Sequence, residues 1–187
     1  MERLKFMTDG DLNRVHFMAD IKLYKIINDL SKKYNLKNEE KILLGTDGSI
    51  TNILEILFNR EVVVKTISQK IINETNHREV ILKIEDKPLI YAISKIPLRN
   101  IEDKGLRENI KRDLLSADIP IGKILKMHNL ETRREIIDIS YKEPPIEVKE
   151  YLKIEDNIKL PMRTYKIIFK KNTLMIITEI FNVSKYL

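Results

Sequence analysis

Glu179 and Arg78 are the residues of this chain whose placement most suggests chemistry. Glu179 lies in Leu174-Met175-Ile176-Ile177-Thr178-Glu179-Ile180-Phe181, a run apolar on both faces and rich in β-branched residues. That is the pattern of a central strand in a covered sheet. By two-residue alternation Glu179 shares a face with Met175, Ile177 and Phe181. A carboxylate there is costly unless something pairs with it. Arg78 stands in the same position among Val80, Leu82 and Ile84. Arg78 is therefore the expected partner of Glu179. Two readings are open: the charges close a buried ion pair, or they line a polar pocket in the core.

Two turns add backbone donors. Thr46-Asp47-Gly48-Ser49-Ile50-Thr51 ends one expected helix and starts the next, and Ile119-Pro120-Ile121-Gly122 starts another. Unpaired N–H groups at a helix N-terminus seat an anion. If both turns face Arg78, they form a carboxylate site in which the guanidinium supplies the fork. Glu179 would then be a proton acceptor or hydrogen-bond partner at the far end. In the alternative, the turns are ordinary caps and the two charges only neutralise one another.

The elements that must position these groups follow from periodicity. Helical spacing is expected over residues 21–33 and 38–44, and from the Ser49 cap through Phe58. Strands follow at 61–72, 77–85 and 88–96, then helices at 100–115 and 120–126. Strands at 133–141, 160–170 and 173–181 complete the order, the last two joined by a tight turn at Lys171-Asn172. Residues 142–156, with Pro144-Pro145 and many charges, read as an exposed connection containing a helical piece at 146–152. Within residues 1–20, Leu12, Val15 and Met18 allow a short helical turn. The expected fold is α+β: a six-stranded antiparallel sheet with helices packed on it, one domain over residues 1–187. No Gly- or Ser-rich linker divides it.

Composition narrows the chemistry. There is no cysteine, and His16, His77 and His128 are isolated, so no metal site is expected. There is no Gly-rich phosphate loop, GxSxG or HExxH motif, so no cofactor is expected either. Ser49 reads as a helix cap rather than a nucleophile. The net charge of +6 suits an anionic small molecule. The lysines are interspersed with glutamates, as in Lys37-Asn38-Glu39-Glu40-Lys41, which reads as a solvated surface rather than a nucleic-acid face. No apolar run reaches the roughly 20 residues of a membrane span. The first residues, MERLKFMTDGD, are too charged for a signal peptide. A cytoplasmic protein without membrane association is the expectation.

Four stretches taken together resemble the chorismate lyases (chorismate pyruvate-lyases), in particular their archaeal-type relatives. They are Leu44 to Thr51, Arg78 to Leu82, Ile119 to Leu125 and Thr178 to Phe181, and the likeness runs from about Leu43 to the C-terminus. The resemblance implies a six-stranded antiparallel sheet enclosing a buried ligand site. It also implies an enzyme that removes pyruvate from chorismate without a cofactor, leaving 4-hydroxybenzoate. By position, Arg78 matches the arginine that grips the ring carboxylate, and Ile50 and Ile121 match residues whose backbone amides help to hold it. Glu179 matches the glutamate near the ring hydroxyl and is the expected acid/base. The chemistry suits these residues: chorismate is a dianion, and aromatisation needs a ring proton to leave with the enolpyruvyl group.

Bacterial members carry an arginine on the third strand where Ile93 aligns, and Lys95 or Arg163 could substitute for it. The rival reading is a non-catalytic domain that binds an aromatic carboxylate, related to the effector domains of GntR-type repressors. The 40-odd residues before Gly45 are too short for a repressor's winged helix together with the fold's own helices. Glu179 also favours catalysis, since a carboxylate sensor gains little from a second buried acid.

Overall fold

Ten-residue runs of alternating side chains, broken by two-residue turns, become hairpins whose apolar faces must then be covered. The computed structural model describes residues 22–116 and 119–187. The chain forms α1 (Leu23–Tyr34), α2 (Asn38–Gly45) and α3 (Ile50–Phe58), then β1 (Val63–Ile72), β2 (Thr75–Ile84) and β3 (Lys87–Pro97). After a 3-10 turn come α4 (Lys104–Ser116), α5 (Ile121–Met127), β4 (Arg133–Lys142), α6 (Ile146–Leu152), β5 (Leu160–Phe169) and β6 (Asn172–Phe181). The helical turn expected within residues 1–20 lies outside the described residues.

All six strands form one antiparallel sheet in the order β1-β2-β3-β6-β5-β4. Each meander of three strands contributes its last strand to the centre, where β3 pairs with β6. The α+β architecture is as expected from the strand and helix order. The last hairpin turns at Lys170-Lys171, one residue before the expected place, with φ of 47° and 70°. Neither residue favours that conformation. The pairing of Phe169 with Asn172 sets the turn.

Two helical groups cover one face of the sheet. α1 to α3 pack through Leu43, Leu44, Ile50 and Leu54 onto Val64, Leu82 and Phe181. α2 meets α1 closely at Gly45: a Cβ there would stand 2.9 Å from Ile27 Cδ1, the movable end of that side chain. α4 and α5 pack through Ile110, Leu114, Ile124 and Leu125 onto Tyr165, Ile167, Met175 and Ile177. His128 Nε2 and Asp113 Oδ2, 2.7 Å apart, tie the end of α5 to α4.

The opposite face carries a correction. Residues 142–156 are not a passive exposed connection. α6 seats Val148 and Leu152 on Ile81, Tyr91, Ile93, Met162 and Ile180 and closes that side of the core. Lys149 is buried too, satisfied by Glu143 and by Asp156 at 3.3 Å. The charges that suggested solvent are a local ion cluster holding a short helix down. We predict that Leu152→Ala lowers unfolding free energy by about 2–5 kcal/mol, the cost of a buried cavity. Urea unfolding checks this, and a loss under about 0.5 kcal/mol would return α6 to the status of a linker.

Candidate functional site

The gap between the two helical groups is a pocket floored by the sheet. Its floor draws on all six strands, among them Val64, Arg78, Ala92, Ser94, Ile177, Glu179, Tyr165 and Arg134. Its walls are the starts of α3 (Ser49, Ile50, Thr51) and α5 (Pro120, Ile121, Gly122). The space it encloses is small, about 70 Å³, and it opens to solvent at its mouth. The two turns converge: a Cβ on Gly122 would stand 3.8 Å from Ser49 Oγ.

The helix starts leave donors facing this space. Ser49 caps α3 by accepting from the Asn52 amide. Its carbonyl accepts from Ile53, so the Ile50 and Thr51 amides are not taken by the helix. At α5 the Pro120 carbonyl accepts from Lys123 and Ile124, which leaves the amides of Ile121 and Gly122.

Arg78, Glu179, Ile50 and Ile121, the residues singled out from sequence, therefore line one cavity. Arg78 is 1% exposed. Its Nη1 donates to the Ile119 carbonyl at 3.0 Å and its Nη2 to Thr66 Oγ1 at 3.2 Å. These two bonds fix the plane of the guanidinium.

The expected pairing of Arg78 with Glu179 is corrected. Of the two readings left open by sequence, the polar pocket holds. Arg78 lies on β2 and Glu179 on β6, with β3 between them. Glu179 sits directly across from Arg163 on β5, and Arg163 Nε donates to Glu179 Oε2 at 2.8 Å. Both partners are buried. Tyr165 donates its hydroxyl to Glu179 Oε1 at 3.0 Å. Burial, with the Glu179 charge beside it, pushes the Tyr165 hydroxyl far above the ordinary tyrosine range, so it stays protonated as a donor. Arg163 also stacks on Tyr165, 4.7 Å from its ring centroid. Its Nη1 reaches the Thr46 carbonyl at 2.7 Å, while its buried Nη2 has no hydrogen-bond partner among the described residues.

The third-strand question is settled by alternation. Ile93 packs with Val148 and Leu152 on the sheet's other face, and Lys95 shares its parity. Neither reaches the pocket, and Arg163 is committed to Glu179. The cation that sequence reasoning missed is Arg134 on β4, which lines the pocket and donates Nη1 to the Asp47 carbonyl at 2.8 Å. It sits in Arg133-Arg134-Glu135, a run that reads as solvated surface. The bulge between Ile136 and Asp138 blurs the alternation that would have marked it.

Residues 43–187 match a family model described as Chorismate pyruvate-lyase Rv2949c-like. The chain is 62% identical over 161 residues to MJ0807 of Methanocaldococcus jannaschii, a protein named as a candidate lyase, with 86% of this chain and 87% of that one covered. Among solved structures it is similar to the effector domain of PhnF from Mycobacterium smegmatis, at a TM-score of 0.54 and 11% identity over 72% of this chain and 88% of that one. It is also similar to YydK of Bacillus subtilis, a candidate transcriptional regulator, at a TM-score of 0.53 and 10% identity over 89% and 97%. At these identities the structural likeness is one of fold.

We predict that Glu179→Gln destabilises the protein by about 3–5 kcal/mol, because it leaves Arg163 charged and buried without its counter-ion. Adding Arg163→Met to Glu179→Gln recovers at least half of that loss. Denaturant unfolding of both variants checks it; an unchanged midpoint in Glu179→Gln would show that solvent already reaches the pair.

Proposed function

The chain belongs to the Rv2949c-like chorismate pyruvate-lyase family, and from that premise we propose that it removes pyruvate from chorismate to give 4-hydroxybenzoate without a cofactor. In this reading residues 1–187 form one chorismate lyase-like domain, and the pocket between the helical groups is the active site. Arg78 grips the ring carboxylate, helped by the amides of Ile50 and Ile121. Glu179 stands near the ring hydroxyl and is the acid/base. The ring proton leaves to Glu179, the C–O bond to the enolpyruvyl group breaks, and the bond pair stays with the departing enolate oxygen. The ring gains its third double bond, and the released enolate takes a proton to become pyruvate. Aromaticity drives the step, so the protein has only to orient the ring and exclude water.

The observation that carries this reading is a buried carboxylate and a buried guanidinium lining the same small cavity. Arg163 and Tyr165 support it: they hold Glu179 in one orientation from the side and leave it on the pocket wall. The Ile119 carbonyl and Thr66 do the same for Arg78.

The second reading is a domain that binds an aromatic carboxylate without turning it over. Effector domains such as that of PhnF share the fold, and Arg78 with the two helix starts would suffice for binding. In that reading Glu179 serves only as the buried counter-ion of Arg163.

Incubation with chorismate, followed by assay of pyruvate and 4-hydroxybenzoate, separates the two. We predict equal molar release of both products without added metal or cofactor. 4-Hydroxybenzoate should raise the melting temperature by mass action on the folded state, and Arg78→Ala should abolish that rise. Binding of 4-hydroxybenzoate with no pyruvate released from chorismate would establish the second reading and end the first.

A further inference from the structure

α6 covers only part of the sheet face opposite the pocket. It lies over Ile81, Tyr91, Ile180 and Met162, which stand side by side across β2, β3, β6 and β5. Two alternation steps along those strands, on the same face, a second row crosses the whole sheet. It runs Lys70, His77, Lys95, Ile176, Lys166 and Glu135, one residue from each strand. None of the six is buried. Partial burial and the charges of Lys95 and Lys70 hold the His77 imidazole below its usual range, so it is neutral near pH 7. Glu135 is answered by Arg133. The row therefore presents three lysine charges on an open shelf of the sheet.

α6 beside it carries the opposite charge. Val148, Lys149 and Leu152 are its buried residues, so helical spacing turns Ile146, Glu147 and Glu150 outwards. All three are exposed, Ile146 at 68%. Lys149, the one cation of this helix, is already held by Glu143 and Asp156. Tyr151 stacks on Tyr91 with ring centroids 6.0 Å apart, and the Tyr91 hydroxyl donates to Glu79 at 2.9 Å. Glu79 stands in the row between the covered row and the basic one. This stack marks the border of the covered half. α6 is thus an acidic ridge, roughly 10 Å high, next to a basic shelf.

We infer that the chain pairs back to back with a second copy of itself, α6 of each copy seated on the basic shelf of the other. The two-fold axis runs across the strands, along the row Glu79-Ile93-Thr178-Thr164, and turns each ridge over the partner's shelf. A closed pair of this kind uses the same patch on both copies. Glu147 and Glu150 meet Lys95 and Lys166, and Ile146 meets Ile176, which lies between those two lysines. An acidic peptide or a nucleic acid would answer the lysines but not the exposed acids of α6 beside them. A second copy answers both. The pocket lies on the other face of the sheet, so the pairing leaves it clear and does not depend on the reaction proposed above.

Sedimentation equilibrium of the full chain at low salt tests this. A short helix on each side makes a small interface, so a dimer with Kd of about 10–100 µM is expected, weakening as salt is added. Two double variants reverse one half of the patch each: Lys95→Glu with Lys166→Glu, and Glu147→Lys with Glu150→Lys. Symmetry makes every reversal act twice, and like charges then face each other, so each variant alone should dimerise roughly 100-fold more weakly or worse. Mixed together, the two should form a heterodimer, because an acidic helix again meets a basic shelf in both contacts. A chain that stays monomeric into the millimolar range overturns the inference and leaves the shelf to solvent, to residues 1–21 or to an acidic partner of another kind. A dimer that both variants leave intact assigns the contact to another face and overturns it too, as does a mixture that fails to pair. All the substituted side chains are at least partly exposed. Should the lysine variant fail to fold by circular dichroism, the helix variant still decides: undiminished dimerisation there sinks the proposal.

Discussion

The ion pair between Glu179 and Arg163 is the constraint on which the site depends. Both side chains are removed from water, and each ion pays several kcal/mol in desolvation that their attraction must offset. The arrangement succeeds because the remaining polar atoms are almost all satisfied: Tyr165 occupies the second carboxylate oxygen and the Thr46 carbonyl takes an arginine N–H. That last bond joins the sheet to the turn that begins α3. The turn is held again by Arg134 through the neighbouring Asp47 carbonyl. With two consecutive carbonyls drawn towards β5 and β4, the amides that follow are presented to the cavity. Orientation of an acid on β6 and orientation of backbone donors at α3 are thus one problem with one solution.

Catalysis that draws on product aromaticity asks little of a protein beyond position and dryness. That suits a fold with a single covered sheet face and two separate helical groups over it. The gap between the groups opens to solvent at its mouth, and its apolar lining is broken by polar groups at a few points. Structures of regulator domains with the same architecture indicate that the scaffold is not tied to one use. What differs between uses must then lie in a few side chains on the floor, among them here an acid fixed by its own arginine.

Much of this was legible in the sequence, for a physical reason in each case. Period-two runs located the six strands because most strands present an apolar set to a covered face, and the same alternation put Arg78 and Glu179 on the pocket side. Arg163 carried the same signal, a charge on a face with Tyr165, Ile167 and Phe169, but two candidate arginines for one glutamate cannot be ranked without the strand order. Sequence proximity does not help, since β6 pairs with both β5 and β3. Arg134 was hidden by its charged neighbours and by the bulge beside it. Residues 142–156 misled because Lys149 is buried among acids, and composition alone reads such a cluster as surface. Ile93 needed the register as well: Arg78 pairs with Ser94, which puts Ile93 on the other face.

The central pairing of β3 with β6 sets an order in time. The first meander is built from neighbouring hairpins and can form as soon as its residues leave the ribosome. It carries Arg78 but not Glu179. The partner strand is synthesised only after α4, α5, β4, α6 and β5, and joining it to β3 closes a loop that contains all of them. Until then, half of the floor is missing and the apolar edge of β3 is open. Ligand cannot reward partial folding before then, because Arg78 and Glu179 come together only when β6 joins β3. The nascent chain is therefore blind to its own ligand, and the entropy cost of closing that loop must be offset by packing or chaperones rather than by the molecule the pocket holds.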